Sequence, residues 1–125
     1  MTLTDTFSSP IKNNHTMIIK KLHDMVRGWF IGDFEPSVLR TQDFEVGLLT
    51  HKKGEQWDEH YHKIATEFNV LVEGRMTVNG IHIEVGDIFI IEPNESSAPV
   101  FLEDCKVLCV KTPSVIGDKY ATIRE

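Results

Sequence analysis

From Met17 onward the chain is a succession of short β-compatible runs broken by turn residues, and this pattern restricts its fold more than any other feature. TMIIKKL, VLRT, FEVGLLTH, TEFNVLVEG, RMTVNGIHIE, DIFIIEP, APVFLED and CKVLCVKT are rich in β-branched and aromatic residues. Gly, Pro, Asn and Asp separate them at intervals of about 8–12 residues, the spacing of antiparallel sandwiches and small barrels. Helical patterning is confined to a short stretch, Leu22 to Arg27, so the expected class is all-β. A chain of 125 residues has room for one such domain. We expect it to occupy residues 16–125, behind a flexible polar arm at residues 1–15 that contains Ser8, Ser9, Pro10, Asn13 and Asn14.

Local chemistry fixes two turns. Asn79 and Gly80 tolerate the positive φ of a tight hairpin, which predicts a turn with Val78 and Ile81 flanking it. Gly86 in EVGD predicts a second. Between Thr66 and Glu73, alternation sets Glu67, Asn69, Leu71 and Glu73 against Thr66, Phe68, Val70 and Val72. If Glu67 faces inward, the apolar side faces out and needs a cover. DIFIIE is apolar on both faces, as expected of a strand buried twice. A homodimer interface is the expected cover, with the N-terminal arm or the Trp29–Phe30 loop as the other candidate.

Composition narrows the partners. Thirteen basic against nineteen acidic side chains give a net charge of −6, which repels polyanions and argues against nucleic acid. No apolar run approaches the roughly 18 residues of a membrane span, and the N-terminus lacks a signal-peptide pattern, so a cytoplasmic setting is expected. Cys105 and Cys109 lie four apart on strand-like sequence, about 13 Å along an extended chain and too far to bridge. They read as reduced core thiols.

The chemistry concentrates in GEQWDEHYHKIATEFNVLVEG, residues 54–74. His60 and His62, at i and i+2 on an extended segment, project to one face while Tyr61 points away. Glu67 follows a short turn, Lys63 to Thr66, which lets the next strand fold back antiparallel with its carboxylate alongside. Two imidazoles and a carboxylate suit a divalent transition metal such as iron, manganese, zinc or nickel, with positions left for water or substrate. Asn69 shares the inward face and must find hydrogen bonds there, so it is a candidate to orient a ligand or substrate. His51 is a substrate-binding candidate if it faces the barrel mouth, and otherwise a solvated strand end. His82 is expected to face solvent, and GWFIGDFEP reads as an aromatic loop that plugs the barrel or covers a substrate.

Gly54, His60, His62, Glu67 and Gly74, separated by five, one, four and six residues, resemble the first signature motif of the cupin superfamily at every fixed position. The resemblance implies a double-stranded β-helix, a jelly-roll barrel with its site at one open end, over residues 40–112. GDIFIIEPNESS resembles the second motif, with Gly86, Asp87 and Pro93 in place, Glu92 where a Pro is common and Asn94 for the turn Gly. Ser97 falls where the family's fourth ligand, a His, normally stands.

That departure leaves three readings of the site. His60, His62 and Glu67 bind metal alone, or Glu92 or Glu95 swings in, or no metal binds tightly and the histidines act as acid and base. The corresponding functions are a metal-dependent enzyme acting on a small polar metabolite, a metal-independent sugar-nucleotide isomerase or epimerase, and a non-catalytic ligand-binding barrel. In each, His60 and His62 are the candidate catalytic or ligating groups, with Asn69, His51 and Ser97 facing the small-molecule partner.

Overall fold

The computed structural model describes residues 16–122. The arm expected at residues 1–15 lies outside them, as do the last residues of the expected domain. A single 3-10 turn, Leu22–Asp24, precedes the strands. These are β1 (Trp29–Ile31), β2 (Glu45–His51), β3 (His60–Tyr61), β4 (Thr66–Glu73), β5 (Met76–Val78), β6 (Ile81–Ile83), β7 (Ile88–Ile91), β8 (Pro99–Phe101), β9 (Cys105–Thr112) and β10 (Tyr120–Ala121).

One sheet has the order β1-β2-β9-β4-β7, and facing it are β6-β5-β8 and the pair β10-β3. Isolated bridges extend each smaller sheet by one residue, Gln56 against Val100 of β8 and Ser97 against His60 of β3. All named strand pairs are antiparallel. The expected all-β jelly roll is therefore present, and among the described residues no helix is long and apolar enough to cross a membrane.

Register explains why one end of the interior is apolar and the other polar. Inward residues of the large sheet fall in rows across the strands. Leu49, Val107 and Leu71 form one row, Gly47, Cys109, Asn69 and Phe89 the next, and Glu45, Lys111, Glu67 and Ile91 the last. Leu71, Val107 and Cys105 pack with Met76, Val78, Ile83 and Phe101 from the facing sheet into the core. The opposite end, where the charged row lies, is the end that carries chemistry. Gly47 is required in the middle row, because a Cβ there would sit 2.6 Å from Cε3 of Trp29, whose ring lies over it.

The hairpin turn is as expected, with Asn79 at φ 53° and Gly80 at 78°, and Gly86 makes the second turn at φ 93°. Other expectations fail for want of a partner strand. TMIIKKL is not a strand, because among the described residues nothing pairs with it, and Met17, Ile18 and Ile19 stay exposed. VLRT contributes only the bridge from Leu39 to Ile31. The Trp29 segment, read as a loop, is instead edge strand β1, paired with β2.

DIFIIE is not buried on both faces: Ile88 is 68% and Ile90 50% exposed. They belong to the outer face, where Val46, Val110, Phe68 and Ile90 align in one row and Leu48, Leu108, Val70 and Ile88 in the next. The Trp29–Phe30 segment does not cover this face, since Phe68, Val72 and Leu108 also remain exposed.

Candidate functional site

His60, on β3, and His62, just past its end, both line the cavity, and the backbone around them is tied at several points. His60 and Ser97 exchange two main-chain bonds, His60 N to Ser97 O at 3.1 Å and Ser97 N to His60 O at 2.8 Å. Asn94, at φ 70° in the turn where Asn replaces Gly, donates its N–H to the His62 carbonyl at 2.6 Å. Tyr61 turns away as expected and stacks on Tyr120 with ring centroids 5.5 Å apart. The two imidazoles meet edge to face at 5.4 Å.

The turn after His62 is held by a residue for which sequence reading gave no signal. Asp118 is buried, and its carboxylate accepts the N–H groups of Lys63, Ile64 and Ala65 at 2.9, 3.1 and 2.9 Å. Burial alone would raise its pKa, but these three donors outweigh it and hold the carboxyl below its ordinary value. From this turn the chain crosses to the other sheet. The expected antiparallel pairing of the Glu67 strand with the histidine strand does not occur, because β4 pairs with β9 and β7 while β3 pairs with β10. Glu67 thus approaches the histidines from across the barrel.

Asn69 is buried, as anticipated, and its Nδ2 donates to Glu67 Oε1 at 3.0 Å. The other Glu67 oxygen, Oε2, lies 4.0 Å from Lys111 Nζ. Lys111 also lies 3.7 Å from Glu45 Oε1 and sits over the Trp29 ring at 5.1 Å. Sequence reading missed Lys111 and Glu45. The available signal was that CKVLCVKT alternates Cys105, Val107, Cys109 and Lys111 on one face, which places a lysine in line with two buried thiols. Cys109 has its pKa raised well above the ordinary value, by burial first and then by Glu67.

His51 is not a solvated strand end. It is buried, stacks on Phe101 at 4.1 Å, and its Nδ1 lies 2.8 Å from Glu55 Oε2. Burial alone would raise the Glu55 pKa, yet hydrogen bonds from His51, Trp57 and the Lys52 N–H bring it down to about 2. Trp57 stands between His51 and His60, at 5.5 and 6.2 Å from their rings. Lys119 Nζ lies over the other part of this wall, 4.2 Å from the Trp57 ring centre. His82 is exposed. Glu95 is committed to its own turn, accepting Glu92 N–H at 2.9 Å, and both glutamates are exposed outside the cavity wall.

His51, His60, His62, Glu67, Asn69 and Ser97 all line one cavity of about 1230 Å³. That is more than the about 300–1,000 Å³ usual for small-molecule sites, so a metabolite-sized ligand has room. Burial lowers the pKa of His60 and, with the positive charge of Lys111 added, that of His62. Burial thus favours the neutral form of both imidazoles, which carries a nitrogen lone pair able to bind a cation or accept a proton. His62 Nε2 is buried with no hydrogen-bond partner among the described residues.

The donor set fits a metal ion in chemistry but not yet in placement. Two imidazoles meet edge to face, and one nitrogen has no hydrogen-bond partner among the described residues, which suits a bound ion. However, among the described residues no group of three or more His, Cys, Asp or Glu side chains is arranged to hold an ion. The Glu67 carboxylate is directed to Asn69 and Lys111 instead.

Comparison with solved structures places the fold. A Klebsiella pneumoniae protein with a double-stranded β-helix domain is 20% identical, with 93% of this chain and 100% of that one covered at a TM-score of 0.64. An RmlC-like cupin from Shewanella frigidimarina is 20% identical, over 61% of this chain and 71% of that one, with a TM-score of 0.56. The chain has the cupin fold. The bacterial pirin YhhW of Escherichia coli, solved in complex with nickel(II), is a longer chain similar in shape: 22% identity, 70% of this chain, 39% of that one and a TM-score of 0.58. By sequence, neither a protein-family model nor a curated protein matches this chain.

Proposed function

We propose that this cupin binds a divalent transition metal through His60, His62 and Glu67 and acts there on a small polar metabolite. The observation that carries the reading is the buried, unpartnered Nε2 of His62 beside the His60 ring, since a polar atom buried without a partner costs about 1–3 kcal/mol unless a ligand satisfies it. The nickel(II) complex of a pirin of similar fold supports it. Iron, manganese, zinc and nickel all suit the donor set. A bound ion would supply Lewis-acid polarisation of a substrate oxygen. The chain itself supplies the rest: Asn69 orients the Glu67 carboxylate, the Ser97 and Asn94 main chain fixes both histidines, and Trp57 and Trp29 line the cavity.

The test is metal loading of untagged protein with nickel, cobalt, zinc, manganese and iron, followed by dialysis and elemental analysis. About one ion per chain, lost in His62→Ala, is the expected result. Well under one ion per chain after every loading would end the proposal.

One observation favours a second reading. With Glu67 paired to Lys111, the neutral His62 imidazole is left as a base in a partly desolvated cavity, suited to metal-independent isomerisation or epimerisation of a sugar nucleotide. Turnover of a sugar-nucleotide panel in the presence of chelator, abolished by His62→Asn, would establish it. We also infer a homodimer joined through the two apolar rows of the outer sheet face, which contain no charged side chain to hold two acidic copies apart. The free, buried thiols of Cys105 and Cys109 support a reducing, cytoplasmic setting.

A further inference from the structure

Strand register puts Lys111 in a position that the metal motif alone does not anticipate. On β9 it stands directly across from Glu45 of β2 on one side and Glu67 of β4 on the other, all three pointing inward. Its ammonium is 3.7 Å from Glu45 and 4.0 Å from Glu67. The side chains of Lys111, Glu45 and Glu67 are only 19%, 14% and 14% exposed, so this is not a surface pairing that water and salt screen away.

The two carboxylates are not equivalent. Glu45 is anchored on its far side, where Oε2 accepts the Ser114 hydroxyl at 2.7 Å, and that hydroxyl in turn accepts the Asp33 N–H at 2.9 Å. Glu67 is held through Oε1 by Asn69, which leaves Oε2 as the oxygen that faces the ammonium. In the His60–His62–Glu67 reading, that oxygen is the one left for the ion, since Oε1 is held by Asn69. A divalent cation and an ammonium beside one carboxylate repel each other, so the two compete, and the lysine retains Glu45 when it yields.

We propose that Lys111 sets the metal affinity of this site, its ammonium acting as a built-in competitor for Glu67 and Glu45 as the counter-ion that lets it withdraw. The inference rests on the His60–His62–Glu67 reading above. It assigns opposite roles to two cross-strand neighbours. Removing the lysine charge tightens metal binding, whereas removing the Glu45 charge weakens it, because the lysine is then left with Glu67 alone.

The experiment is cobalt(II) titration of the full chain, read by calorimetry and by the visible absorption of the bound ion. It compares the unsubstituted protein with Lys111→Met, Glu45→Gln and the double variant Lys111→Met with His62→Ala. Lys111→Met keeps an unbranched chain of similar length without the charge. It is expected to bind cobalt about 10–100-fold more tightly, the range for neighbours of metal ligands, and the double variant to lose that binding. Glu45→Gln is expected to bind more weakly than the unsubstituted protein. Equal affinity in Lys111→Met and the unsubstituted protein would overturn the inference while leaving the metal reading intact. Tight binding that survives loss of His62 would also overturn it, since the ion would then sit between the freed carboxylates. No cobalt binding by either folded protein would remove the metal reading and this inference together. Should Lys111→Met fail to fold, Glu45→Gln decides, and unchanged or tighter cobalt binding there overturns the proposal.

Discussion

Removing Asp118 should unfasten the turn that joins the two halves of the site. Its buried carboxylate is the common acceptor for the N–H groups of Lys63, Ile64 and Ala65, immediately after His62 and shortly before Glu67. A hydrogen bond to a charged acceptor contributes about 1.5–3 kcal/mol, and the buried Ala65 N–H, left without a partner, adds its desolvation cost. Such contributions are not additive, so we expect Asp118→Ala to cost about 3–5 kcal/mol, a large share of the about 5–15 kcal/mol typical of a domain. Asp118→Asn keeps one acceptor oxygen without the charge and should cost about half as much.

The pH dependence has a definite sign. The folded carboxyl titrates below its ordinary 3.8, so on acidification the unfolded chain takes up the proton first. Asp118 therefore contributes its full stabilisation above pH 4, and that contribution is lost as pH falls from there through the folded pKa. Urea denaturation of the unsubstituted protein, Asp118→Asn and Asp118→Ala at pH 7 and across pH 5 to 2.5 measures both effects. The variants should lose stability at pH 7 and show a shallower acid decline than the unsubstituted protein. An Asp118→Ala protein within about 0.5 kcal/mol of the unsubstituted one at pH 7 would refute the reasoning, because surface-like substitutions have effects of that size.

Two further outcomes are expected. Asn69→Ala frees Glu67 Oε1 from its side-chain donor and should weaken cobalt binding about 10-fold or more, measured by the same titration, and should lower stability by about 1 kcal/mol. Ile88→Lys and Leu108→Glu place charges in the apolar outer rows and should convert a dimer to monomer in sedimentation velocity at micromolar concentration. An unsubstituted protein that sediments as a monomer there would remove the homodimer.

The residues that sequence reading found are those whose signal is local. His60, His62 and Glu67 stand out by spacing, Asn69 follows from alternation along one strand, and Asn79, Gly80 and Asn94 follow from the φ values their turns impose. What escaped depends on register between strands far apart in the chain. Lys111 meets Glu45 and Glu67 only because β9 lies between β2 and β4, and Asp118 acts on main-chain groups 53 to 55 residues away. The apolar run TMIIKKL shows the converse, since strand-forming composition does not make a strand without a neighbour to accept its hydrogen bonds.

His60 lies on β3, with His62 just past the end of that strand, whereas the Glu45–Lys111–Glu67 row belongs to the large sheet. A ligand that touches both therefore acts as a rivet through the sandwich, present when the sheets are closed and without a counterpart in the unfolded chain. It should raise stability by about 2.7 kcal/mol when supplied at a hundred times its dissociation constant. Thermal shift against a metabolite library consequently reports the natural ligand without any assumption about the reaction, and a compound that stabilises the protein but not His62→Ala must reach the histidine half of the rivet.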